Sequence, residues 1–437
     1  MAGQLVLALT ILVGIHEFGH FIAARMFGMR VDKFFIFFDA KFNLYSKKVG
    51  DTEYGIGWIP LGGYVKIAGM MDESMDKEQL SKPAEPWEFR SKPAWQRLIV
   101  MIGGVTMNVI LGMIAFIMLV AVNGESYLPA SEMNKHGIIA NELGQEIGLQ
   151  TGDKILAING KELERYTDLL TPEVIMGDDI VFNIDRNGEQ IDIPIPDGFA
   201  EKLIDGREAG GAPFVEFRMP FEVGNIAKGM NAEKAGLQEG DKIISINDKS
   251  INYFDELRTA LLNQKGNTIQ MEIVRKGITQ VLNVDVDTSG IIGFNPKSLL
   301  ALKTDKFGLG ESIIKGTEKA WGGLAQSIWG IGKIISGKVP AGKALNGPLG
   351  IAKIYGAVWD WTRFWTLTGM LSMWLAFINI VPIPALDGGH VMFLLYEIIV
   401  GRKPNEKFME YMQMAGMILL FALMAYVIFN DVIKLAF

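Results

Sequence analysis

The chain has 437 residues, 49% of them hydrophobic, with a mean hydropathy of +0.23 and a formal net charge of -7. That hydropathy is high for a soluble protein, and the acidic balance leaves no basic footprint for nucleic acid. Cysteine is absent, which removes disulfides, thiolate zinc sites and cysteine nucleophiles; a zinc site must draw on His16, His20, His136, His390 and carboxylates.

Residues 1–33 hold the first expected membrane span, 5–24, in which only His16, Glu17 and His20 can ionise. No basic segment precedes it, and the His/Glu motif occupies the zone where a signal peptide would be cleaved, so a retained span is expected. Ionisable side chains are costly in hydrocarbon, which points to a functional role. In His16-Glu17-Phe18-Gly19-His20 the histidines are four apart, about 40° from each other on one helix face. Both imidazoles can then reach one zinc ion, with Glu17 beside them to take a proton from zinc-bound water.

Residues 34–97 are expected to form a cytoplasmic β-loop region and linker. Thr52-Glu53-Tyr54-Gly55-Ile56-Gly57-Trp58-Ile59, the turn Pro60-Leu61-Gly62-Gly63 and Tyr64-Val65-Lys66-Ile67 read as a hairpin that dips toward the bilayer. The charged stretch 71–92 reads as a solvated linker to the second span, 98–122 within 98–123. That span carries Gly103, Gly104 and Asn108, small residues that permit close helix packing and one polar group.

An internal repeat follows. Gly148-Leu149-Gln150-Thr151-Gly152-Asp153-Lys154-Ile155 returns as Gly236-Leu237-Gln238-Glu239-Gly240-Asp241-Lys242-Ile243, and Asn159 and Tyr166 return as Asn247 and Phe254. The common offset is 88 residues (148 to 236), which indicates two domain copies, placed at 124–210 and 211–296. Ala235-Gly236-Leu237-x-x-Gly240-Asp241 and the strands expected after it resemble PDZ domains of bacterial envelope proteases, α+β folds. Such domains bind extended peptides by strand addition; the alternative is a steric gate, favoured because neither copy shows a clear carboxylate-binding loop. His136 opens the first copy and reads as a surface histidine. Residues 297–363 are Gly-broken and amphipathic, with Ile313, Ile314, Trp321, Ile328 and Trp329 among lysines. They suit helices resting on the membrane surface, or helices packed on the second copy.

A third span, 365–386, lies in 364–400 and a fourth, 412–429, in 401–437. Lys and Arg at 25, 30, 33, 92, 97, 402, 403 and 407 put 25–97 and 387–411 in the cytoplasm, and the repeat outside. Topology removes His136 as a third ligand and leaves Asp387 or His390, with Asp387 preferred because it ends the third apolar run at the depth of His16 and His20. His390 reads as an interfacial residue. Asn379, polar within that run, reads equally as a substrate-backbone donor or as a helix–helix hydrogen bond.

His-Glu-Phe-Gly-His in the first span, Leu386-Asp387-Gly388 at the third, the PDZ-like insertion and Ser91-Lys92-Pro93-Ala94-Trp95-Gln96-Arg97 together resemble the site-2 proteases, specifically the bacterial RseP group with tandem PDZ domains. Over nearly the whole chain the resemblance implies a four-span α-helical membrane protein with a membrane-associated β-hairpin or sheet and two PDZ domains outside the membrane. It implies an intramembrane zinc metalloendopeptidase of the bacterial inner membrane. His16, His20 and Asp387 would hold Zn2+, Glu17 would act as base, and Gly62, Gly63, Tyr64 and Asn379 would hold substrate. The implied substrates are single-span proteins already trimmed outside the membrane, such as anti-sigma factors, or remnant signal peptides; membrane lipid is the surroundings. One departure is Gly103-Gly104 where the family often has Gly-Pro. A non-catalytic PDZ scaffold is the alternative, against which Glu17 argues, since a scaffold needs no base.

Overall fold

Apolar stretches too long for an ordinary soluble helix form three helices long and apolar enough to cross a membrane among the described residues: Gly3–Met26, Ala94–Asn123 and Lys407–Ile433. The computed structural model describes residues 2–60, 62–70, 83–171, 174, 179–196, 198–199, 201–203, 212–336, 347–356 and 358–436. It divides into two units, Met1–Gly124 with Lys306–Phe437, and Glu125–Asp305.

The first unit contains helices α1 (Ala2–Met26), α2 (Ala94–Asn123), α3 (Leu309–Ile335), α4 (Pro348–Tyr355), α5 (Trp361–Ile380), α6 (Asp387–Val400) and α7 (Glu406–Ala436). α2 is the central helix, packed against α1, α3, α5 and α6. Its approach to α1 depends on glycine: a Cβ on Gly103 would lie 2.6 Å from the carbonyl oxygen of Gly19, and one on Gly19 would meet the Gly103 carbonyl. α3 is the expected amphipathic segment, with Ala320 and Leu324 buried against Phe116 and Met373, and Ile314 and Trp321 exposed. Buried Asp431 of α7 accepts backbone N–H groups of Gly347 (2.8 Å), Leu349 and Gly350 (both 3.0 Å) and so caps α4. Asp431→Ala is expected to weaken this cap by about 1–2 kcal/mol, seen as loss of hydrogen-exchange protection over Pro348–Tyr355; unchanged protection would contradict it.

The expected third span, 365–386, is not one helix. α5 stops at Ile380, the backbone is extended at Val381, and a new helix, α6, begins at Asp387. Pro382 and Pro384 cannot donate to a helical ladder, so the chain breaks where they fall. α5 also carries Thr362, Arg363, Thr366 and Ser372, and it is not among the three helices apolar enough to span.

Between α1 and α2 lie β1 (Val31–Ile36), β2 (Tyr45–Val49), β3 (Thr52–Ile56) and β4 (Tyr64–Ile67), in sheet order β2-β3-β1-β4. The expected hairpin between the Thr52 and Tyr64 strands is therefore corrected. β1 lies between them, parallel to β3 and antiparallel to β4, and the hairpin is β2–β3. The reason is burial: Val31 and Phe35 are both 0% exposed, so β1 takes the centre, and Gly55 opposite leaves room for the Phe35 ring. Leu61 of the expected turn and 71–82 of the expected linker lie outside the described residues.

The second unit shows the repeat in three dimensions as two hydrophobic cores. Strands Lys154–Ile158 and Lys161–Glu162 recur as Lys242–Ile246 and Lys249–Ser250, each in a four-stranded sheet of the same order. Asn159 and Asn247 both take positive φ (51° and 45°), and their side chains accept the backbone N–H of Val181 (2.7 Å) and Gln270 (2.8 Å). Val215–Phe217 pairs with Ile138–Ala140, and Phe214 and Val215 are buried in the first core, which carries the first lobe past the expected 210/211 boundary.

Asp153 and Asp241, each 1% exposed, explain the Gly-Asp of each copy. Each accepts two hydrogen bonds from one arginine (Arg186, 2.8 and 2.7 Å; Arg275, 2.7 and 2.6 Å), which also donates to the Gly148 or Gly236 carbonyl. The hydrogen bonds to these carboxylates raise the pKa of both guanidinium groups. Removing one partner strands a buried group. Asp153→Ala is expected to destabilise the first lobe by about 3 kcal/mol, seen as loss of hydrogen-exchange protection over Lys154–Ile158; unchanged protection would contradict it.

Candidate metal centre

α1 brings His16 and His20 to one buried face, as their four-residue spacing requires. The break at Val381 delivers Asp387 to the same point as the first residue of α6. The turn before it is tightly made: Ala385 has φ 79°, a Cβ on Gly388 would meet the Ile380 carbonyl at 2.6 Å, and one on Gly389 would meet Pro384 Cα at 2.7 Å. That crowding is the physical content of Asp-Gly-Gly at this position.

His16 Nε2, His20 Nε2 and Asp387 Oδ2 form a triangle with all three edges 3.2 Å. Tetrahedral ligands about 2.0–2.1 Å from zinc would be about 3.3–3.4 Å apart. Asp387 Oδ2 is buried without a hydrogen bond, and three atoms that ordinarily offer lone pairs converge there. A cation at their centre satisfies all three, so the donor set fits zinc. Among the described residues this is the group of three His, Asp or Glu that could hold a metal ion.

His20 Nδ1 lies 2.8 Å from the Val100 carbonyl oxygen. His16 Nδ1 lies 3.1 Å from the Asn108 amide nitrogen, and its Nε2 3.3 Å from that of Asn379. All these residues are buried, in keeping with a centre built between α1, α2 and α5. Gly104 faces the rings directly: a Cβ there would run into His20 Nε2 and lie 2.7 Å from His16 Cε1. Sequence reasoning read this glycine only as a packing residue.

A cavity of about 890 Å³ opens on the centre, lined by Glu17, Gly62, Gly63, Tyr64, Asn379 and His390 together with the three metal-site residues. The half-buried Glu17 thus faces the same cavity as the three metal-site residues. β4 is an edge strand of its sheet, and Gly63 and Tyr64, where it begins, line the same cavity. His390 shares the cavity but is not in the three-residue group. His136 belongs to the other unit, its ring against Tyr253.

Residues 4–423 match the family described as Peptidase family M50. Similar proteins align along nearly their full lengths. One from Vibrio cholerae, provisionally named a zinc metalloprotease, is 30% identical, with 98% of each chain covered. Two others are 29% identical: the Regulator of sigma-E protease RseP of Escherichia coli K12, with 98% of each chain covered, and the Regulator of sigma E protease of Haemophilus influenzae, with 99% of this chain and 98% of that one.

Proposed function

The chain belongs to peptidase family M50, and from that premise we propose that it is an intramembrane zinc metalloendopeptidase. It cleaves peptide bonds within or near the transmembrane segment of single-span proteins. The observation that carries this reading is the 3.2 Å triangle of His16, His20 and Asp387, its two histidines on a helix apolar enough to span a membrane, in a cavity shared with Glu17.

His16, His20 and Asp387 would hold the zinc. When bound, zinc supplies Lewis-acid polarisation of a carbonyl and a lowered pKa for water. Glu17 takes the proton from the attacking water and passes it to the departing amine. A membrane helix hides its carbonyls in its own hydrogen bonds and must unwind before attack. The unwound segment is received as a strand added at the sheet's edge beside β4, with Gly62, Gly63 and Tyr64 in the cavity next to it. Asn379 donates from its amide to the substrate backbone beside His16.

We read α5 with the turn after it as a membrane-crossing segment, the third of four in chain order, short because Asp387 must stop at the depth of the histidines. The protein then sits in a bacterial inner membrane, and the two lobes of the second unit are PDZ domains on the outer side. They act as a steric gate that passes substrates already trimmed outside, such as anti-sigma-factor-like proteins or signal-peptide remnants.

The test uses purified protein and one single-span substrate in two forms, trimmed outside the membrane and carrying a folded outer domain. Cleavage of the trimmed form, lost with a zinc chelator and restored by zinc, is expected. Cleavage that survives metal removal would end the metalloprotease reading, and equal cleavage of both forms would end the gate.

A further inference from the structure

We propose that Asn108 is a positioning residue for the metal centre: its side-chain oxygen accepts the Nδ1–H of His16 and so leaves Nε2 free to ligate. The inference rests on the metal-centre reading above and concerns how the protein prepares one ligand.

Both histidines turn Nε2 toward Asp387 Oδ2. A neutral imidazole that ligates through Nε2 carries its proton on Nδ1, and what accepts that proton sets the tautomer and the ring orientation. His20 has such an acceptor in the Val100 carbonyl oxygen at 2.8 Å. The group that meets His16 Nδ1 is the Asn108 amide, at 3.1 Å.

Asn108 is 0% exposed on an apolar helix, where a polar side chain is costly unless it is bonded. With Nδ2 toward His16, two N–H donors would face each other in the ligating tautomer, while Asn108 Oδ1 stays buried with no hydrogen bond. Turning the amide about Cβ–Cγ exchanges the two atoms at little change of shape. The oxygen then accepts from Nδ1–H, and the pairing agrees with a ligating Nε2. Ser372 Oγ donates to the Asn108 carbonyl oxygen at 2.8 Å, which fixes this turn of α2 against α5. Gly104, one turn earlier on the same face of α2, leaves the space the rings occupy.

Aspartate can accept but not donate here, and leucine can do neither. Zinc affinity would be measured by chelator competition on the detergent-purified full chain, for wild type, Asn108→Asp and Asn108→Leu. Wild type and Asn108→Asp are expected to agree within about threefold, and Asn108→Leu to bind about 10–100-fold more weakly. Nitrogen-15 spectra of the zinc-free histidines should show Nδ1–H on His16 in wild type and Asn108→Asp but not in Asn108→Leu. Equal losses in both variants would overturn the acceptor role, as would a wild-type affinity in Asn108→Leu. If Asn108→Leu fails to fold, Asn108→Asp decides alone, because a donor role predicts that it loses zinc. A wild type that binds no zinc would defeat the metal centre itself, an outcome distinct from wild-type binding that ignores Asn108.

Discussion

Glu17→Gln is expected to lower cleavage by about 10²–10⁴-fold, the span typical of general acid–base catalysis, while zinc content stays that of wild type. Glutamine keeps the shape and polarity of the side chain and removes its capacity to take a proton. Glu17 is next to His16 in sequence, but its side chain lies outside the three-atom triangle and lines the cavity instead. Metal retention and catalysis are therefore expected to separate at this one residue. A variant that cleaves at the wild-type rate would remove Glu17 from the mechanism, and one that loses its metal would make it a structural support of the centre.

Gly104→Ala is expected to lose zinc without touching a ligand. The new methyl group would collide with His20 Nε2 and lie 2.7 and 2.9 Å from His16 Cε1 and Nδ1. Neither ring has an easy retreat, because the backbones of α1 and α2 already meet at Gly19 and Gly103. Overpacking typically costs about 1–3 kcal/mol, which as ligand displacement is roughly 5–150-fold in zinc affinity. Gly323→Ala is the control, since its Cβ would meet nothing within 4 Å on α3 and alanine favours a helix. Zinc affinity unchanged in Gly104→Ala would mean that the rings can move freely.

Much of the centre was legible because helix periodicity acts over short distances. Four residues bring His16 and His20 to one face whatever else the chain does, and the prolines before Asp387 announce a break. The duplicated Gly-Asp was visible as a repeat, but its reason, a buried carboxylate gripped by an arginine 33 residues on in one copy and 34 in the other, lies in tertiary structure. The β-sheet order was not legible. Pro60 to Gly63 signals a turn but not which strands it joins, and the pairing was decided by burial of Val31 and Phe35 in β1. Gly104 was obscure for a similar reason: glycine in an apolar helix says that something comes close, and only the fold says that it is the imidazole rings.

A zinc centre at His16, His20 and Asp387 is tested most directly by zinc-edge X-ray absorption of the purified chain and of Asp387→Ala. It predicts one zinc per wild-type chain with two imidazole nitrogens and an oxygen donor at about 2.0–2.1 Å, and loss of the tightly held ion in the variant. Wild-type protein without zinc, or an unchanged spectrum in Asp387→Ala, would contradict it.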